Sequence, residues 1–228
     1  MIAPVNDPPS APPTRGRTLN FPGLLYDLLV PLMVFGMERR VNRRTARALD
    51  LAPGDVVLDL GCATGNLSYE IARRLDSAAG GLCIGIDASP QMVARARRKI
   101  GGRPVRFDIG LAEKLPYADG VFTKAASSLL LHHLDMELKR AAMAELRRVV
   151  APGGLVVVAD MDRPTTLIGK LFGHGGERIL CQREIEENLS GVLPDLFAQA
   201  GFTDIRRLGH DYGYVTTFAM RVARASRP

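Results

Sequence analysis

The sequence predicts a layered α/β domain built on a mostly parallel sheet. From Asp55 onward, short apolar runs alternate with amphipathic stretches of ten or more residues, the pattern of β-α units. The runs are apolar throughout rather than strictly alternating, as strands covered on both faces require. A small-residue turn, Gly61 to Gly65, joins the first run to the first amphipathic stretch.

Val56 to Leu60 reads as the first strand, followed by that turn and a helix to about Leu75. Leu82 to Ile86 is the second strand. Ser89 then supplies an N-cap hydroxyl, and Pro90 suits the first helical position, so a helix runs through Met92 to Ile100. Val105 to Ile109 and Phe122 to Ser127 are the third and fourth strands. Leu134, Leu138, Ala142, Leu146 and Val149 recur at helical spacing behind the capping residue Asp135. Ala151-Pro152-Gly153-Gly154 breaks that helix, and Leu155 to Ala159, β-branched and continuous, reads as a central strand. A helix from Pro194 to Ala200 stops at Gly201. Runs near Asp204 to Arg206 and from Tyr214 to Arg221 then form an antiparallel hairpin.

Composition bounds the rest. A chain of 228 residues, 46% hydrophobic and 24% charged, buries one sizeable core. Six of its fifteen prolines precede Gly23, so residues 1–20 read as a flexible leader and 21–228 as one domain. Within it, residues 21–50 form a helical cap, 51–228 the core, and 162–193 a substrate-side insertion. The net charge of +6 admits anionic partners without specifying one. Three cysteines, Cys62, Cys83 and Cys181, form no CxxC pair, which disfavours a disulfide framework or a zinc site. Residues 21–37 are interrupted by Asp27 and Pro31 and are too short for a membrane span. No secretory signal pattern opens the chain, so the expected location is the cytoplasm.

In an open parallel sheet, ligands bind beyond the carboxyl ends of the strands. Small residues at Gly61, Ala63 and Gly65 let backbone N–H groups approach a ligand there, and Asp87, closing the second strand, can accept hydrogen bonds from ribose hydroxyls. Asn66 breaks the dinucleotide fingerprint, which disfavours a nicotinamide cofactor.

Five segments in order, VVLDLGCATG from Val56, GIDASPQM from Gly85, AEKLPY from Ala112, LHHL from Leu131 and RVVAPGG from Arg148, together resemble a class I S-adenosylmethionine-dependent methyltransferase. Tyr26-Asp27 and Gly36 to Arg44 are similar to the ubiquinone and menaquinone branch. The resemblance implies a seven-stranded Rossmann-like sheet with helices on both faces and an antiparallel last strand. It implies S-adenosyl-L-methionine as cofactor, with Asp59, Gly61, Ala63 and Gly65 bordering its methionine part and Asp87 holding the ribose. Ala88 and Met92 would pack the adenine face, Ala112 would meet its edge, and Ser127 with Leu131 would lie near the sulfonium. Three residues depart from the family pattern. Leu111 stands where an Asp commonly accepts from the adenine amino group, Ala63 replaces a glycine, and Thr123 replaces an Asp that often follows the strand-four Phe.

A sulfonium methyl is already activated, so the protein's task is alignment and exclusion of water. His133 or His132 can act as base where the acceptor loses a proton, and Tyr26 in the cap is a third candidate catalytic side chain. The apolar cap, the 162–177 loop, Tyr212 and Tyr214 suggest a small, largely apolar or aromatic acceptor: quinone-like, lipid or secondary metabolite. A nucleic-acid substrate is disfavoured, because Ser127-Ser128-Leu129-Leu130 stands where amine methyltransferases carry an Asn- or Asp-Pro-Pro-aromatic turn. The competing reading is a fold repurposed as a cyclase or noncatalytic cofactor-binding protein. Residues 21–47, apolar and then rich in arginine, admit a peripheral contact with anionic lipid, the alternative being a solvated helix face with Arg47 paired to Asp50 or Glu38.

Overall fold

The computed structural model describes residues 2, 13–14, 16, 37–167, 169 and 183–223. The cap from 21 to 36, with Tyr26, and most of the expected insertion, with Cys181, lie outside the described residues.

In chain order the elements are α1 (Met37–Ala48), β1 (Val56–Leu60), α2 (Asn66–Ala72), β2 (Leu82–Asp87), α3 (Pro90–Lys99), β3 (Val105–Ile109) and β4 (Phe122–Ser128). They continue with α4 (Met136–Val149), β5 (Val150–Met161), α5 (Arg183–Leu189), α6 (Leu193–Gln199), β6 (Phe202–Asp211) and β7 (Val215–Val222). The sheet order is β3-β2-β1-β4-β5-β7-β6, parallel as far as β5 and antiparallel through β7. This is the seven-stranded arrangement that the motifs imply.

Caps act where the sequence places them. The Ser89 hydroxyl accepts from Met92 N at 3.4 Å with Pro90 in the first turn of α3, and Asp135 accepts from Leu138 N at 2.9 Å to start α4. Helix α2 is shorter than its pattern suggests. Arg73 closes it, and Asp76 opens a separate 3-10 turn, Ser77–Ala79, by accepting from Ala78 N at 2.9 Å. The Ala151 to Gly154 breaker is also not a free loop. It lies inside β5, where pairing passes from Phe122–Val150 to Lys124–Leu155, so the extra residues bulge out of the ladder. Strand β5 sits one place from the middle of the sheet, between β4 and β7.

Strand alternation divides the core between the two faces. Leu58, Leu60, Ile84 and Ile86 pack with Leu138, Ala142 and Leu146 of α4 and Leu196 and Phe197 of α6. On the other face, Val57 and Cys83 meet Ala46 and Leu49 at α1 and Leu67 and Ile71 of α2, while Val93 and Ala96 of α3 cover Phe107. Burial of each such aliphatic side chain stabilises the fold by roughly 1.5–3 kcal/mol. Helix α1 buries Glu38, Val41, Asn42, Thr45 and Ala46 on one side and presents Arg39, Arg40, Arg43 and Arg47 to solvent on the other. Arg47 pairs with neither Asp50 nor Glu38: Arg40 and Arg44 meet Asp211 at 2.9 and 3.0 Å, and Arg43 lies 3.5 Å from Glu70. None of the described helices is long and apolar enough to cross a membrane.

Candidate active site

The loops after β1, β2, β3 and β4 converge on one cavity at the carboxyl edge of the sheet. Strand β1 delivers Leu60, Gly61 and Ala63, β2 delivers Asp87 and Ala88, the next helix Met92, and β3 delivers Gly110, Leu111 and Ala112. Ser128, Leu129, Leu130, His133 and Leu134 close the side after β4, and Thr14 and Gly16 of the proline-rich leader complete the rim. Thr14 is held there, its Oγ1 donating to Glu113 Oε1 at 2.8 Å.

Asp87 organises the centre. Its Oδ2 accepts from Ala63 N and its Oδ1 from Ser89 N, both at 2.9 Å, which ties the β1 loop to the cap of α3. Burial raises the Asp87 pKa, with the Ser89 and Ala63 amides opposing the shift. Gly61 holds φ at +75°, and a Cβ there would stand 2.8 Å from the Leu130 side chain, so glycine keeps the cavity wall thin. Ala63, without glycine's freedom, nevertheless takes φ of +45°.

A smaller space adjoins the first and shares Gly61, Ala63, Ser128 and Leu129 with it. Glu38 and Asn42 from α1, Asp59 from β1 and Asn66 from α2 form its other walls. Glu38 Oε2, Asn42 Oδ1, Asp59 Oδ1 and Ser128 Oγ are buried there with no hydrogen-bond partner. Glu38 Oε1 does accept from Asn66 Nδ2 at 2.8 Å, and Asp59 Oδ2 accepts from Ser68 Oγ. Burial pushes the Asp59 carboxyl up to about 7, the Ser68 hydroxyl opposing and Asp87 adding to the rise. A group of unpaired buried oxygens calls for a cationic or N–H-rich ligand, because each costs about 1–3 kcal/mol while it stays unmade.

Several expected site residues face elsewhere. Gly65 borders neither space; a Cβ on it would meet Ile100 at 2.6 Å and Phe107 at 2.9 Å, so it serves the packing of the turn. Ser127 is fully buried with Oγ donating to Leu60 O at 3.0 Å, and Leu131 is in the core; Ser128, Leu129 and Leu130 take the cavity positions instead. His132 turns inward, its Nδ1 2.8 Å from Asp160 Oδ1, while His133 lines the cavity. Asp59 lies in the smaller space. Thr123 sits at the opposite end of the sheet, where its hydroxyl donates to Asp55 Oδ1 at 2.7 Å, so its departure from the family pattern leaves the cavity untouched. Leu111 does line the cavity, and that departure stands. Glu38 and Asn42 had no signal in the sequence beyond lying on the buried side of an amphipathic helix.

Residues 57–154 match the family model described as a methyltransferase domain. A demethylmenaquinone methyltransferase of Desulfitobacterium hafniense is 30% identical over 212 residues, which span 83% of this chain and 82% of that protein. The chain belongs to the S-adenosylmethionine-dependent methyltransferases. This methyltransferase is also 26% identical to the ubiquinone/menaquinone biosynthesis C-methyltransferase UbiE of Geobacter sulfurreducens, over 85% of the chain and 82% of the relative. Among solved structures, a possible histamine N-methyltransferase from Thermotoga maritima shares the fold at a TM-score of 0.63 and 19% identity, covering 87% of this chain and 95% of that one. The cyclase SpnF shares it at 0.59 and 20%, covering 82% of each. The methyltransferase motifs surround the cavity: the β1 loop, Asp87 and the segment at Ala112 all line it.

Proposed function

We propose that this methyltransferase binds S-adenosyl-L-methionine across the two adjoining spaces and methylates a small, largely apolar or aromatic acceptor of quinone-like character. The carrying observation is the cluster of unpartnered buried oxygens of Glu38, Asn42 and Asp59 beside Gly61 and Ala63. These oxygens fit the ammonium end of the cofactor. Asp87 fits a ribose, since each carboxylate oxygen retains accepting capacity beyond its amide bond. Met92 and Ala88 offer a soft apolar wall to an adenine, and Leu111 offers packing in place of a hydrogen bond.

When bound, the cofactor supplies a methyl group already activated by positive sulfur. What this chain adds is position and dryness. Leu129, Leu130 and Leu134 make the β4 side of the cavity apolar, which suits a hydrophobic acceptor and keeps water out. His133 lines the same cavity, which supports it as the group that takes a proton from an acceptor carbon or hydroxyl. Similarity to the Desulfitobacterium demethylmenaquinone methyltransferase and the Geobacter C-methyltransferase supports a quinone-like acceptor, and the latter a carbon target.

Calorimetry of S-adenosylmethionine binding to the wild type and Asp87→Ala tests the reading. We expect micromolar binding that Asp87→Ala weakens about tenfold or more. A folded wild type that binds no cofactor overturns it. Tight cofactor binding with no transfer to any apolar acceptor favours the repurposed-fold alternative, for which the cyclase sharing this fold is a precedent.

A further inference from the structure

Helix α1 has two faces with different partners. Its inner face supplies Glu38 and Asn42 to the space beside the β1 loop. Its outer face carries Arg39, Arg40, Arg43, Arg44 and Arg47, which with Ala48 and Leu208 of β6 line a broad open depression. The spacing of 39, 43 and 47, flanked by 40 and 44, makes one continuous stripe along the helix.

The fold explains only part of this stripe. Asp211 holds Arg40 and Arg44, and Glu70 holds Arg43 while also meeting Arg73 and Arg74 at 3.1 Å each. Arg39 and Arg47 have no carboxylate partner among the described residues and stand exposed. Among the described residues, two carboxylates thus face seven guanidinium groups. Leu208, 46% exposed, sits among them. An exposed leucine ringed by long cationic side chains is the composition that interfacial surfaces use: the apolar group enters the headgroup layer and the guanidiniums reach the phosphates. The sequence running into α1, residues 21–36, is apolar with Asp27 as its one charged side chain. Among the described residues no aromatic side chain lines the depression, as base stacking would require, and it is open rather than a cradle for a small anion.

We propose that the arginine face of α1 together with Leu208 docks on an anionic phospholipid surface. Docked in this way, the helix that walls the cofactor space lies at the bilayer, and an apolar acceptor dissolved in the membrane has a short path to the cavity. That path rests on the apolar-acceptor reading above. The docking itself does not.

Co-sedimentation of the full chain with phosphatidylglycerol/phosphatidylcholine vesicles, against phosphatidylcholine alone, is the test. The variants are Arg39→Gln/Arg47→Gln, which breaks no ion pair among the described residues, and Leu208→Ser. We expect partition onto the anionic vesicles that weakens with salt, and a loss of about thirtyfold in the double arginine variant, as two guanidiniums near a charged surface supply. Leu208→Ser lowers partition less steeply and independently of salt. Far-ultraviolet circular dichroism and melting of both variants match the wild type. Equal partition onto neutral vesicles overturns the proposal, as does an unchanged double variant. Displacement by inorganic phosphate at constant ionic strength instead shows a small-anion site, and tighter retention on duplex DNA than on vesicles at equal phosphate shows a nucleic-acid surface. Either refutes lipid docking. Because none of these readings involves methyl transfer, a wrong acceptor and a wrong surface give different results.

Discussion

His132 Nδ1 stands 2.8 Å from Asp160 Oδ1, while the ring of His133, 4.0 Å away between centroids, lines the cavity. Adjacent histidines therefore do different work. Asp160 also accepts from Leu131 N at 2.6 Å, Met161 N at 2.8 Å and Asn188 Nδ2 at 3.3 Å, so it fixes the Leu131–His133 turn from behind. Against the rise that burial alone would cause, His132 and the Met161 and Leu131 backbone amides hold the Asp160 carboxyl below the ordinary carboxylate range.

Removing one partner from a buried pair leaves the other uncompensated. His132→Ala and Asp160→Ala are each expected to lower stability by about 3–5 kcal/mol in urea titration. His133→Ala leaves stability within about 1 kcal/mol and slows transfer to a proton-losing acceptor by about a hundredfold or more in single-turnover assays. A stable, fully active His132→Ala protein contradicts the inward assignment. Because the folded Asp160 value is depressed, its contribution is present above the ordinary value of 3.8 and fades only as pH falls below it.

Asp59 titrates in the opposite sense. With a folded value near 7 against an ordinary 3.8, its carboxyl binds a proton more tightly folded than unfolded. Stability therefore falls as pH rises across that window and levels off above it. Asp59→Asn should flatten the slope and melt several degrees higher at about pH 8. If the ionised carboxylate neutralises the cofactor's ammonium, wild-type affinity rises between about pH 6 and pH 8, and Asp59→Asn binds weakly at both. Calorimetry across that range decides it; a flat wild-type profile removes Asp59 from the ammonium site.

The local signals in the sequence were dependable because their causes are local. Ser89-Pro90 and Asp135 cap helices through bonds spanning three residues, and the β1 and β3 boundaries follow directly from their apolar runs. What the sequence left hidden depends on chain segments far apart. Asp160 meets His132 across 28 residues, and Asn188 meets Asp160 across another 28, so the dipeptide alone does not say which histidine faces the cavity. Ser127 and Ser128 differ only in which side of β4 they occupy. Thr123 looked like a departure at the site until the strand placed it at the far end of the sheet.

Ala63 offers a test of stored backbone strain. A left-handed φ of +45° costs a β-carbon-bearing residue roughly 1–2 kcal/mol, and the Ala63 N–H bond to Asp87 holds it there. Ala63→Gly is expected to raise stability by about 1 kcal/mol despite glycine's greater freedom when unfolded. The variant also removes a methyl group from both spaces, so cofactor affinity should not fall. A destabilised Ala63→Gly means the loop relaxes and the strain is absent.

Lys139 of α4 is fully buried, with Nζ donating to Glu187 Oε2 at 2.8 Å and to Glu184 O at 3.1 Å on α5. This pins α5, and with it Asn188, over the end of β5. The two partners are not equivalent: Glu187 is 37% exposed and regains water when released, whereas the ammonium cannot. Glu187→Ala should therefore cost about 1–3 kcal/mol by leaving a buried charge with one carbonyl. Lys139→Met, which replaces the ammonium by an apolar chain of similar length, should be near neutral or stabilising. Urea midpoints of both variants at one pH give the comparison, and equal losses in the two would mean that the ion pair itself, rather than the desolvated ammonium, sets the energetics of this contact.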